Sequence, residues 1–114
     1  MFPESLDVLL LSVGPDGHIA SLFPRSNALL EKSRLVLPVI SPKTPSDRLT
    51  ITPRVIQSSK STFLLAQGIE KGRILAQAQK QTDDIASFPV CLLLGSTWML
   101  DSETSNQLDF SNFK

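Results

Sequence analysis

The chain has 114 residues, with 11 acidic and 11 basic side chains, one histidine and one cysteine. That length suits one modest domain with a real core rather than two, and the even charge balance supplies no field toward nucleic acid or an anionic membrane. The cations are scattered without aromatics interleaved, no apolar stretch nears the ~20 residues of a membrane span, and Cys91 has no internal disulfide partner, so the default address is cytoplasmic.

Glu4, Asp7 and Asp16 stand where a secretory signal would carry a basic start and a clean apolar core. Residues 7–13 read as the first strand. Val8-Leu9-Leu10-Leu11 is apolar and uncharged, as a strand central in a parallel sheet would be. A Gly14-Pro15-Asp16-Gly17 turn leads into a helix-like stretch at 19–23, which Pro24 closes, and a second such stretch covers 27–32. A strand is expected at 35–40, a loop at Pro42 and Pro45, and a strand at 49–52. Pro53 sits where a helix over 54–58 can begin. A strand over 62–66, a helix over 70–79, a fifth strand over 89–94 and a last helix near 102–108 complete the order. Alternating strands and helices predict a single α/β domain over residues 1–114, a Rossmann-like, mainly parallel sheet flanked by helices. A central first strand needs neighbours on both sides, and five short strands barely supply them. The chain is therefore expected to be the later part of a larger fold.

In open parallel sheets the ligand crevice lies beyond the carboxyl ends of the strands. The only histidine, His18, falls there, two residues after Asp16. Neutral imidazole is the natural general base near neutral pH. Asp16 can orient it or meet a substrate hydroxyl, or it can simply cap a following helix while His18 packs near that helix's start. Ser21 lacks the G-x-S-x-G elbow of a serine hydrolase, and one His with one Asp falls short of a zinc ligand set. Gly14 and Gly17 make neither a dinucleotide fingerprint nor a Walker loop. Lys71, in the first turn of the helix that leaves the strand over 62–66, opposes the dipole preference unless an anion offsets it. That favours a phosphate ligand over a solvated charge. Arg48, ahead of Leu49-Thr50-Ile51-Thr52, fits either description.

The segment Asp7-Val8-Leu9-Leu10-Leu11-Ser12-Val13-Gly14-Pro15-Asp16-Gly17-His18-Ile19-Ala20-Ser21-Leu22-Phe23-Pro24 resembles the signature of the 6-phosphogluconolactonases, within the wider group that includes glucosamine-6-phosphate deaminases. The likeness continues through Ser41-Pro42-Lys43-Thr44-Pro45, Asp47-Arg48-Leu49-Thr50-Ile51-Thr52, Gly68-Ile69-Glu70-Lys71 and Trp98-Met99-Leu100-Asp101. It implies a Rossmann-like sheet, no metal, no organic cofactor, and a sugar-phosphate lactone as the small-molecule partner. The implied reaction is hydrolysis of 6-phosphoglucono-δ-lactone to 6-phosphogluconate in the oxidative pentose phosphate pathway. His18 would be the base that activates water, with Asp16 in the same catalytic loop. Gly14 and Gly17 would shape the substrate site, and Arg48 with Lys71 would hold the phosphate. Deaminases of the group carry an acid before the proline that follows D-G-H, where this chain has Phe23, so the lactonase branch is favoured. Ser12 stands where the family usually has glycine, a change that could crowd the turn. The resemblance covers the family's later half only; a Gly/Ser-rich phosphate loop belongs to the earlier half. A non-catalytic sugar-phosphate-binding or degenerate module is the alternative. Neither motif nor composition speaks to the oligomeric state.

Overall fold

The computed structural model describes residues 5–110. Three strands, β1 (Val8–Leu11), β4 (Ser61–Ala66) and β5 (Thr97–Leu100), form a parallel sheet in the order β1-β4-β5. Between β1 and β4 the chain makes an antiparallel hairpin, β2 (Val36–Ile40) with β3 (Asp47–Ile51), and then helix α1 (Pro53–Ser58). Helix α2 (Ile69–Lys80) joins β4 to the later segment, and α3 (Ser102–Ser105) follows β5. The result is an α/β fold, a parallel sheet flanked by helices, as the alternation predicts.

The two faces of the sheet differ. Register places Leu9, Leu64 and Ala66 on one side, and all three enter the core cluster with Ile56 of α1 and Ile74, Leu75 and Ala78 of α2. The spacing of the α2 residues puts them on one helical stripe. On the other side Val8 and Leu10 are each 58% exposed and Met99 53%, with Leu65 exposed beside them. An apolar strand therefore has one dry face and one wet one. β1 also lies at the end of the described sheet and not at its centre; β4 is the middle strand. The uniform apolarity of Val8-Leu9-Leu10-Leu11 hides this, because period-2 alternation is the only signal that separates the two cases.

Two further expectations are corrected. Residues 89–94 do not form a strand: Pro89–Leu93 is a 3-10 helix, with Cys91 N–H donating to Phe88 O and Leu94 N–H to Cys91 O. Pro89 has no N–H for a ladder, and the run is apolar because Pro89, Val90, Cys91 and Leu93 are buried against α1, α2 and β4. The third strand of the sheet is instead Thr97–Leu100. The stretch over 19–23 is likewise not helical. It is a tight turn closed by an Ile19–Leu22 bridge, with Ala20 in the left-handed region at φ 51° and both Ile19 and Leu22 fully buried.

The other elements follow their local chemistry. Asn27–Leu30 is a 3-10 helix whose N-cap Ser26 accepts from Ala28 N–H. Pro53 opens α1, and Thr52 ahead of it donates its buried hydroxyl to Arg34 O at 2.7 Å. At the far end, Asp101 caps α3 through Thr104 N–H at 2.9 Å and also accepts from Gly68 N–H at 3.1 Å. One carboxylate thereby joins the starts of α3 and α2. Gly72 lets those helices touch: a Cβ there would lie 2.7 Å from Thr104 O.

Candidate active site

The segment after β1 winds into a compact loop. Gly14 N–H donates to His18 O at 2.9 Å and Gly17 N–H to Gly14 O at 3.0 Å. Gly17 adopts φ +91°, which favours glycine, and its carbonyl accepts from Val90 N–H at 3.0 Å, tying the loop to the 3-10 helix. Gly14 serves a different purpose. The His18 imidazole lies against its Cα, and a Cβ there would run into the ring.

Asp16 and His18 are brought together as the spacing suggested. Asp16 Oδ1 accepts from His18 backbone N–H at 3.1 Å and also meets imidazole Nδ1. The aspartate thus grips both ends of the histidine. Burial pushes the Asp16 carboxyl up, but the hydrogen bonds from the His18 side chain and backbone, with the charges of His18 and Lys43, outweigh it and hold it below its ordinary value. Asp16 does not cap a helix, since the residues after it form a turn.

Phe23 and Arg48 extend the group. The Phe23 ring, 4% exposed as a residue, lies 4.8 Å from the imidazole centroid with the planes tilted by 41°. The Arg48 guanidinium carbon is 5.7 Å from the centre of the same ring, within cation–π range. Arg48 Nε donates to Pro45 O at 2.9 Å. The hairpin that carries Arg48 is pinned to the loop by Ser21 N–H donating to the Thr50 hydroxyl at 3.1 Å. So Asp16, His18, Phe23 and Arg48 form one contiguous set drawn from the post-β1 loop and from β3.

Lys71 is placed differently. It sits in the first turn of α2, and Nζ donates to the Ser12 hydroxyl at 2.6 Å. Ser12 therefore does not crowd the turn; it gives the ammonium a partner across the carboxyl ends of β1 and β4. Both residues line an open groove of about 830 Å³ with Gln67, Trp98, Leu100 and Asp101. Asp101 was visible in the sequence only as part of a family-like segment, although an aspartate directly ahead of a helical stretch is itself an N-cap signal. Its carboxyl is held low by the Thr104 and Gly68 N–H groups.

Chemically, the loop offers an oriented imidazole, a carboxylate and a guanidinium, and the groove adds an ammonium. Among the described residues no group of three His, Cys, Asp or Glu side chains is arranged to hold a metal ion. No helix of these residues is long and apolar enough to cross a membrane.

A family model for glucosamine-6-phosphate isomerases/6-phosphogluconolactonase matches residues 2–100. The chain is 41% identical over 108 residues to a 6-phosphogluconolactonase of Mycobacterium tuberculosis and 40% identical over 108 residues to one of Streptomyces coelicolor. Each match takes in 91% of this chain, but only 43% and 41% of those relatives. Among solved structures, a 6-phosphogluconolactonase from Trypanosoma brucei superposes with a TM-score of 0.76 at 30% identity, covering 92% of this chain and 43% of that one. The chain spans less than half the length of the curated relatives it matches.

Proposed function

The chain belongs to the glucosamine-6-phosphate isomerase/6-phosphogluconolactonase family, and from that premise we propose that it carries the base-bearing part of a site that hydrolyses 6-phosphoglucono-δ-lactone to 6-phosphogluconate. The observation that carries this reading is the Asp16–His18 pair held against Gly14 beyond the carboxyl end of β1. With Nδ1–H directed at Asp16, Nε2 holds the lone pair and can accept a proton. Water loses a proton to Nε2 as its oxygen bonds to the lactone carbonyl carbon. The adduct collapses by breaking the ring C–O bond, and the imidazolium returns the proton to the departing ring oxygen. Asp16 stabilises the imidazolium between those steps. Arg48 and Lys71 hold the phosphate of the substrate at a distance from the reacting carbonyl, so that binding energy there positions the ring.

Phe23 supports the lactonase branch over the deaminase branch. An apolar ring beside the imidazole supplies no carboxylate to relay protons to an amine. Hydrolysis of the lactone, followed at low temperature where the spontaneous background is slower, tests the reading directly. His18→Ala is expected to lower the rate by roughly 10²–10⁴; an unchanged rate removes His18 from the chemistry. Binding of 6-phosphogluconate without turnover, abolished by Lys71→Ala, would instead identify a sugar-phosphate-binding module.

A further inference from the structure

Lys71 carries its charge on a flexible stem, so the reach of the ammonium is decided by where α2 begins. The helix starts at its N-cap Gly68, which Gln67 separates from the end of β4. Gly68 adopts φ +93°, a region that glycine enters freely, and such a residue leaves the helix after it many directions unless something holds it. Both backbone polar groups of Gly68 are held. Its N–H donates to Asp101 Oδ2 at 3.1 Å and Oδ1 at 3.2 Å, and its carbonyl accepts from the Thr104 hydroxyl at 2.9 Å.

The two residues that grip it are themselves fixed. Asp101 N–H donates to Ala66 O at 3.3 Å, and Asp101 Oδ1 accepts from Thr104 N–H at 2.9 Å. Thr104 is fully buried. A buried hydroxyl is costly unless bonded, and this one finds its acceptors in the same link, Gly68 O and, at 3.4 Å, Ala66 O. From the first turn so held, Lys71 crosses to Ser12, the residue after β1. The end of β5 thereby sets the start of α2, and the start of α2 sets an ammonium beside β1. We infer that Asp101 and Thr104 are positioning residues that act through Gly68 to place the Lys71 ammonium at the carboxyl ends of β1 and β4, an inference that rests on the reading of Lys71 as a phosphate ligand.

Amine labelling with acetic anhydride, read residue by residue by mass spectrometry, reports that placement without any turnover. Lys80, at the other end of α2, is the reference. Thr104→Val keeps the shape of the side chain and removes the hydroxyl. It is expected to free Lys71 from Ser12 and speed its labelling roughly 2–10-fold relative to Lys80, the worth of one hydrogen bond. Thr104→Ser, which restores the hydroxyl, should bring the ratio back. Asp101→Ala, at a half-buried position, makes the same test should Thr104→Val fail to fold. An unchanged ratio overturns the inference, and so does an acceleration that Lys80 shares. In lactone hydrolysis the same variants should raise KM by about that factor and leave kcat unchanged. Thr104→Val combined with Lys71→Ala should be no worse than Lys71→Ala alone, because one residue acts through the other; effects that add would overturn the positioning role. A labelling shift with KM unmoved in every variant, Lys71→Ala included, would keep the placement and reject Lys71 as the phosphate ligand.

Discussion

The two ends of the candidate site are built in contrasting ways. On the β1 loop side, His18 is held by Asp16, by the bare Cα of Gly14 and by the Phe23 ring, and the neighbouring hairpin is bonded to the loop through Thr50. On the α2 side, Lys71 leans on a single hydroxyl at the rim of an open groove. The first arrangement is set before any ligand arrives. The second is a flexible stem with a compact charge at its tip. A group that moves protons needs its geometry within a fraction of an ångström, whereas a group that attracts a phosphate does not.

Substitutions can break or sharpen that contrast. After His18→Ala itself, the largest effect is expected from Gly14→Ala, which drives a methyl group into the imidazole and, in the proposed site, should cost on the order of 10²-fold in kcat/KM for the lactone, with the fold retained by circular dichroism. The tight spot of the α2 side lies away from Lys71, at its contact with α3. Gly72→Ala sets a Cβ 2.7 Å from Thr104 O and should destabilise the chain by roughly 1–3 kcal/mol in urea unfolding, despite the better helix propensity of alanine.

Acid titration compares the carboxylates of the two ends. Folding holds Asp16 and Asp101 below their ordinary value of 3.8, so each favours the ionised form in the folded state. Their stabilisation is fully present above that value and is lost as pH falls through the lowered one. Asp16→Asn and Asp101→Asn should therefore each be less stable than the unaltered chain at pH 7, and the differences should shrink in acid; a gap that stays constant with pH would contradict this. The smallest effect belongs to Ser12→Gly. Removing one hydrogen bond worth about 0.5–1.5 kcal/mol should raise KM a few-fold and leave kcat unchanged, in contrast to Gly14→Ala only two residues away.

Which of these features could be read from the residues depends on how local their causes are. Helix α2 and strand β4 were legible because periodicity and an apolar run belong to the segments themselves. The Asp16–His18 contact was legible because a two-residue spacing inside a glycine turn leaves the side chains few other places to go. The run at 89–94 misled because a buried 3-10 segment and a buried strand are equally apolar; β5 escaped notice because Thr97–Leu100 is short and half exposed. Phe23 against Arg48 is a contact between residues 25 apart in sequence, made only by the docking of the hairpin. The Lys71–Ser12 bond depends in the same way on β1 and β4 lying side by side. No local pattern announces either.

The wet face of the sheet bears on calorimetry. Val8, Leu10, Leu65 and Met99 are already about half exposed while the chain is folded, so unfolding adds less new hydration there than at a fully buried face. The heat-capacity increment of unfolding should fall below the ~12–15 cal/mol/K per residue usual for globular domains, and stability should vary with temperature along an unusually shallow curve. Such a chain gains less from its hydrophobic residues than their number suggests, because these four keep between 39% and 58% of their surface in water.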